Sequence, residues 1–362
     1  MKKINKKQKL VAVDLFSGGG GLTLGLKKAG FLVSAAVELD KFASATYRVN
    51  NPGAVLFNKD VRNISGAELL ATSPTGKIDL IAACPPCQSF SSLTAKYKRE
   101  DSRDELINEF ARLVEDIMPK TIMMENVPGL MKKGGHLFDP VICHFRKLGY
   151  SIDYKVLEVA DYGVPQRRKR LVVLGALNAE IRIPAKTHSE LPLENVKTKR
   201  WVTVRKALSG LTAPVLLSEA KKKGGPQKFD WNVIRDISEL NQERLRHLPE
   251  GSDRTSLPLH LRPTCHTEDQ GFTNVYGRMA WDKPSPTITG GCTTPSKGRF
   301  GHPTEIRTIS VREAARLQTF PDSFKINTDF VDKACLIIGN ALPPLFASIM
   351  AKACFDIISK GE

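Results

Sequence analysis

The sequence predicts an α/β fold, a mostly parallel sheet covered by helices, with a second, smaller domain set in before the chain ends. Short β-branched runs alternate with segments of helical apolar spacing through the first half, and after about residue 184 this texture gives way to Pro, Lys, Thr and Ser with weak periodicity. The glycine-rich and polar residues of the first half also fall at the ends of the expected strands, where an open α/β sheet binds its ligands.

Strands are expected at 10–16, 32–37, 54–57, 78–83, 120–124, 155–159 and 170–175, each a short run rich in Val, Ile, Leu or Ala. Helical spacing marks 22–29, 41–49, 103–118 and 137–148, with Ser102 and Glu105 as a capping box for the third. A length of 362 residues suits about two domains. The larger is expected to comprise 1–184 and 330–362, the smaller 185–329. Within the smaller, Lys221-Lys222-Lys223-Gly224-Gly225-Pro226 reads as an exposed loop, and Ser310 and Glu313 stand as N-cap and N3 of a helix running to about Gln318. The apolar stretch 334–358, with breaks at Gly339 and Pro343-Pro344, is expected to rejoin the larger domain.

Hydrophobic content of 41% and charged content of 25% are those of a soluble globular protein, and no uninterrupted apolar run reaches the roughly 18 residues of a membrane span. The basic N-terminus lacks the apolar core and small-residue cleavage site of a signal peptide, so a cytosolic protein is expected. Lys and Arg outnumber Asp and Glu by 54 to 38, a formal charge of +16 that draws the chain to polyanions, nucleic acid first. Seven cysteines, an odd number, point to reduced thiols.

Five consecutive strand ends carry the candidate chemistry: Phe16-Ser17-Gly18-Gly19-Gly20-Gly21, Glu38-Leu39-Asp40, Asp60, Pro85-Pro86-Cys87-Gln88 and Glu125-Asn126-Val127. The glycines allow close approach of a ligand to backbone, or merely pack a helix on a strand. Thr23 and Leu24 stand where a dinucleotide fingerprint needs its last glycine, which disfavours NAD. An adenosine-containing ligand without a pyrophosphate fits better, with Glu38 on a ribose diol and Asp60 on an adenine amino group. Cys84-Pro85-Pro86-Cys87 has the spacing of a redox or zinc pair, but no second pair stands at ligand spacing and the chain is no small thioredoxin-like unit. Cys265-His266 with His260 is a faint metal cluster at most. Cys84, ending an apolar strand, reads as buried and inert, whereas Cys87 is the candidate nucleophile. Glu125 is a candidate proton donor, and Arg168 and Arg170 are candidates to hold an electronegative atom.

Together with Gln166-Arg167-Arg168-Lys169-Arg170, Arg278, Pro284-Ser285-Pro286-Thr287-Ile288-Thr289, Arg312-Glu313-Ala314-Ala315-Arg316-Leu317-Gln318-Thr319-Phe320-Pro321 and Gly339-Asn340-Ala341, these motifs stand in a known order and spacing. Over nearly its whole length the chain resembles the bacterial DNA (cytosine-5) methyltransferases of restriction-modification systems. The resemblance implies the Rossmann-like fold of an S-adenosylmethionine-dependent methyltransferase, with Phe16, Gly18, Gly20, Glu38, Leu39, Asp60, Val61, Pro86 and Asn340 lining the S-adenosylmethionine site and no metal. Cys87, Glu125, Arg168 and Arg170 would form the pocket of a cytosine flipped out of double-stranded DNA. Carbon 5 of cytosine is a poor nucleophile. Thiolate addition at carbon 6 enriches it, provided a proton reaches N3, and Glu125 is placed by the resemblance to supply one.

By the same resemblance about 184–277 is the target recognition region, and 88–103, with Lys96, Lys98 and Arg99, is a closing loop that meets phosphates. A monomer working beside a cognate restriction endonuclease, and no membrane partner, are further expectations. One departure is Cys84, where glycine is common. The rival readings are a tRNA cytosine-5 methyltransferase, whose own recognition signature is not found here, and a catalytically silent sequence-specific DNA-binding protein. Enzymes that methylate amino groups need no cysteine after Pro-Pro.

Overall fold

Seven strands form one sheet in the computed structural model: β1 (Val11–Leu15), β2 (Leu32–Val37), β3 (Val55–Phe57), β4 (Leu80–Ala83), β5 (Thr121–Asn126), β6 (Tyr150–Glu158) and β7 (Lys169–Leu177). Their order is β3-β2-β1-β4-β5-β7-β6, parallel from β3 through β5, with β7 running antiparallel to β5. The order reverses at β1, which lies between β2 and β4. Such a switch point opens a crevice at the carboxyl ends of the two central strands. Here Leu15 is paired with Ala83 and Ala83 with Met124, so the turns after β1 and β4 and the end of β5 start side by side. The structure describes residues 9–86, 104–191, 197–263 and 274–360. Cys87, the loop 88–103, Ser102 and the Cys265-His266 pair lie outside the described residues.

The helices are α1 (Gly21–Ala29), α2 (Lys41–Asn50), α3 (Gly66–Leu70), α4 (Leu106–Ile117), α5 (Gly129–Lys132), α6 (Gly135–Lys147), α7 (Val204–Leu208), α8 (Leu217–Lys222), α9 (Glu239–His247), α10 (Val311–Leu317), α11 (Val331–Asn340) and α12 (Pro344–Lys360). The chain divides into two compact units: Met1–Leu157 with Lys169–Ala185 and Pro344–Glu362, and Glu158–Arg168 with Lys186–Pro343.

In the first unit the apolar faces of α4 and α6 cover the sheet, with Phe110, Phe138 and Phe145 fully buried. Helix α12 packs on α1. The crossing is close because Gly25 faces it: a Cβ there would lie 2.4 Å from the Ala347 Cβ and 2.8 Å from the Ser348 nitrogen. Glycine costs helix stability in an interior, and here that cost admits the neighbouring backbone. Ser102, one half of the capping box expected at α4, lies outside the described residues. Glu105 is itself the N-cap and its side chain makes no capping bond, so the buried stripe Leu106, Ile107, Phe110, Leu113 and Val114 sets this helix. A capping box that sequence reading passed over does exist at α3, between Ser65 and Glu68.

The second unit has little sheet, and its backbone carbonyls take other donors. Buried Arg278 gives its Nε and Nη2 to the Leu245 carbonyl (3.1 and 2.7 Å) and its Nη1 to those of His302 and Glu305 (2.6 Å each). Arg312 bonds the carbonyls of Asp230 (2.7 Å) and Phe324 (3.0 Å). The five N–H groups of a guanidinium suit irregular backbone that has no ladder partner, because a buried carbonyl without a donor is costly. Helix α10 begins in the expected capping box of Ser310 and Glu313, and Glu313 also pairs with buried Arg307 at 2.8 and 2.9 Å. The expected helix break at Gly339 is absent, since α11 runs through it. Glycine is required there for a different reason: a Cβ would lie 2.1 Å from the Thr289 carbonyl carbon. The stretch Val331–Lys360 has the length and apolar composition of a membrane span, longer than sequence reading allowed, but 72% of its apolar window is buried inside the protein.

Candidate active site

At the end of β1, Phe16 and Gly18 both take positive φ (60° and 54°), which turns the backbone sharply out of the sheet. Nothing lies within 4 Å of where a Gly18 Cβ would stand, so that face is open. Gly20 (φ 100°) faces protein instead: a Cβ there would lie 2.8 Å from the Asn51 amide nitrogen and 3.2 Å from the Tyr47 ring. Glu38, just past β2, fastens this turn by accepting from the Gly18 N–H (2.8 Å) and the Asp40 N–H (2.7 Å). Burial raises its carboxyl above the ordinary range, and those two backbone donors oppose the rise. Beside it Leu39 is 64% exposed, a large apolar side chain presented to solvent. Asn58, which sequence reading missed, ties the turn after β3 to the Glu38 and Leu39 carbonyls at 2.8 and 3.1 Å.

Asp60 caps the short turn Val61–Asn63 and is gripped by Arg62 through Nε (3.0 Å) and Nη2 (2.7 Å), which holds its carboxyl below the ordinary range. Val61 is 3% exposed and belongs to the core, so its side chain is not open to a ligand.

Glu125 is the fifth residue of β5, not a loop residue after it, and is 8% exposed. Arg170 on β7 holds it, with Nε 2.5 Å from Oε1. The register explains the pairing: Glu125 faces Val172, and Arg170 is two positions along β7 on the same face. Arg170 also gives Nη1 to the Lys169 carbonyl (2.8 Å). Next to Glu125, Asn126 donates to the Pro85 carbonyl (3.1 Å), fastening the turn that holds Pro86, whose own side chain is half-buried. Cys84 keeps some exposure, yet burial of its thiol, followed by the Glu125 and Asp14 carboxylates, pushes it well above the usual cysteine range, in keeping with an inert cysteine.

Arg168 and Asn340, expected beside these groups, belong to the second unit. Arg168 is 5% exposed, and its Nη1 donates to the carbonyls of Ile288 and Gly339, both at 2.9 Å. This makes it a rivet between two segments of its unit, of the same kind as Arg278 and Arg312. Around it the Gln166 amide donates to Gln318 (2.7 Å) and accepts from the Ile288 N–H (2.8 Å), while Gln318 donates to the Ile338 carbonyl (2.8 Å). Four sequence motifs far apart in the chain thus meet in one buried amide network. Asn340 is exposed at the end of α11.

Asp14, which opens the motif running on through Leu15 and Phe16 and was given no role from sequence, is a carboxyl inside β1. It is fully buried, accepts from Thr23 Oγ1 at 2.5 Å, and Thr23 in turn meets the Tyr47 hydroxyl at 3.0 Å. The signal was present in the run Val11-Ala12-Val13-Asp14-Leu15, where one charge interrupts an apolar strand. Burial pushes its pKa up to about 7. A carboxyl raised in the fold stabilises the folded state below its unfolded pKa, near 3.8, and that contribution is lost as pH rises through about 7. Replacing Asp14 by Asn should therefore flatten the loss of thermal stability between pH 5 and about 8, measured by melting temperature against pH; an unchanged slope would show that another group carries it.

Residues 10–356 match the family model for C-5 cytosine-specific DNA methylase. The chain is 36% identical over 348 residues to the Type II methylase M.HgiDII of Herpetosiphon aurantiacus, covering 94% of each chain. It is 31% identical over 356 residues to the Type II methyltransferase M1.BsuMI of Bacillus subtilis, covering 93% of this chain and 78% of that one. Among solved structures, a prophage-encoded protein of E. coli described as a DNA modification methyltransferase superposes with a TM-score of 0.71 at 27% identity, over 97% of this chain and all of the other. The Dnmt2 methyltransferase of S. pombe shares the fold, with a TM-score of 0.61 at 18% identity, over 97% of this chain and 99% of its own.

Proposed function

The chain belongs to the C-5 cytosine-specific DNA methylase family, and from that premise we propose how its residues methylate carbon 5 of a cytosine in double-stranded DNA. The observation that carries the reading is the carboxyl of Glu125, held by Arg170 at the end of β5 and flanked by the strand that leads into Pro85-Pro86-Cys87. Cys87 is the nucleophile. Its thiolate adds to carbon 6 of the flipped base, the electron pair moves toward N3, and Glu125 donates a proton there as charge builds. Carbon 5 is then nucleophilic enough to take a methyl group. Loss of the carbon 5 proton to solvent expels the cysteine as thiolate, and N3 returns its proton to Glu125. Because a free thiol with a pKa near 8.5 is only a few per cent ionised at neutral pH, the residues around Cys87 must favour thiolate.

S-adenosylmethionine, the donor that the family implies, supplies an electrophilic methyl group when bound. The residues at the first three strand ends fit it. The open face at Gly18 admits a ligand against backbone, the exposed Leu39 offers an apolar surface to an adenine ring, and Glu38 keeps acceptor capacity beyond its two backbone bonds. We assign Phe16, Gly18, Glu38, Leu39 and Pro86 to this site, with Asp60 presented by Arg62 and Val61 contributing through its main chain. Asn340 is assigned to it from the resemblance. Arg168 is assigned to the scaffold, and Arg170 is the arginine that acts at the cytosine pocket.

We further infer that residues 1–184 with 330–362 carry the chemistry and that 184–277 read the target sequence, where side chains reach base edges in the major groove. The names of the Type II relatives support a place in a restriction-modification system; we infer that the protein acts as a monomer in the cytosol and protects DNA from a cognate restriction endonuclease. Bisulfite sequencing of DNA from cells that otherwise lack cytosine methylation, and that express this protein, is the test. One short recurring sequence should become resistant to conversion at a fixed cytosine. Complete conversion throughout, or resistance without a sequence motif, would contradict the proposal.

A further inference from the structure

We propose that Arg299 is a phosphate-binding residue, its guanidinium taking a phosphodiester of the DNA backbone. The inference rests on the reading of the protein as an enzyme that acts on DNA. The buried arginines described above spend their N–H groups on the protein: Arg168, Arg278 and Arg312 on backbone carbonyls, Arg307 on Glu305 and Glu313. Arg299, in the same unit, does not. The residue is half-buried and its Nε is shut off from solvent, yet that N–H meets no acceptor. Among the described residues no hydrogen bond or ion pair engages any part of its guanidinium. A buried N–H left without an acceptor is costly, and a ligand that supplies the acceptor accounts for its being kept.

The surrounding chain seats this side chain without pairing it. Its stem crosses Gly277, where a Cβ would lie 2.6 Å from the Arg299 Cγ, so glycine is what admits it. Asp253 borders the same glycine, but its Oδ1 accepts from the Thr255 N–H and hydroxyl at 3.0 and 2.7 Å, and it makes no ion pair with Arg299. Next to Gly277, Tyr276 takes a positive φ of 51°, donates its N–H to the Pro295 carbonyl (2.8 Å) and lies under the Arg244 guanidinium, 4.9 Å from the ring centre. Strained non-glycine backbone of this kind gathers at binding sites. Lys297, two residues before Arg299, is exposed and adds charge to the same segment. The fork of a guanidinium matches the two free oxygens of a phosphodiester. Phosphate is favoured over a base edge because Arg299 stands outside 184–277, the segment assigned to reading the target.

The test is duplex binding across a range of salt, with melting temperature, for the full-length protein and its Arg299→Met and Arg299→Lys variants. One duplex holds the methylated site and the other does not. Methionine keeps the stem over Gly277 and removes the unpartnered head. Arg299→Met should bind both duplexes about tenfold more weakly. Its slope of log affinity against log salt should be shallower by about one. It should melt no lower than wild type, because no internal bond is lost. Arg299→Lys should keep the slope and lose part of the affinity. A lower melting temperature beside wild-type binding would overturn the proposal and mark a structural arginine. Weaker binding confined to the duplex with the site, at an unchanged slope, would overturn it in favour of a base contact. If the wild-type protein binds duplex with no salt dependence, the reading as a DNA enzyme itself fails, and that outcome is separate from a wild-type slope in Arg299→Met.

Discussion

Replacing Cys87 by serine will abolish covalent capture of DNA that carries 5-fluorocytosine at the target position, while leaving DNA binding within a few-fold of wild type. The effect is large because sulfur is needed to form the adduct that fluorine then keeps from breaking down. A thiolate adds to carbon 6 readily, whereas a serine hydroxyl, with a far higher pKa, is rarely ionised. Once the methyl group is on carbon 5, the ring must lose the other substituent to expel the cysteine, and fluorine cannot leave as a proton does. Wild-type protein with S-adenosylmethionine and fluorinated duplex should give a band that survives denaturation. Serine at position 87 should give none above background, and a persistent band would mean that another residue attacks the base. A mismatch opposite the target should speed capture in wild type, since less stacking and pairing is lost on flipping.

Glu125→Gln will slow adduct formation by about 10² or more, the usual scale for a positioned general acid. The amide keeps the size of the side chain but has no proton to give at N3. It also replaces the ion pair with Arg170, which is nearly buried, so the arginine is left with a weaker partner. Comparing Glu125→Gln with Arg170→Ala separates the two contributions: if positioning dominates, both variants slow capture alike, and if proton donation dominates, Glu125→Gln is slower by at least tenfold. Rapid capture by Glu125→Gln, followed by rapid quench over the first turnover, would show that N3 gets its proton elsewhere.

The sheet was legible in the sequence because each parallel strand is an apolar run closed by a distinct polar signature. Seven strands were expected, and among the described residues the main sheet has seven, with β2 matching residue for residue, while two further two-stranded pairings were not foreseen. What the sequence did not reveal was order and direction. Nothing in Lys169–Leu177 marks it as the one antiparallel neighbour of β5, yet that reversal brings Arg170 to Glu125. The start of β6 at Tyr150 was missed because its residues are mostly half-buried and show no clean alternation. Motif spacing identified the arginines but not their work. Arg168 and Arg278 were notable for their types, and only the fold shows that both satisfy carbonyls of irregular backbone.

The central claim is that one named sulfur forms the bond to the base, and peptide mapping of the trapped complex tests it most directly. After digestion with trypsin and nuclease, the fluorinated nucleotide should be found on the peptide spanning residues 78–96, which holds both Cys84 and Cys87. Fragmentation of that peptide should place the added mass on Cys87. Mass on Cys84, or on any other peptide, would contradict the account.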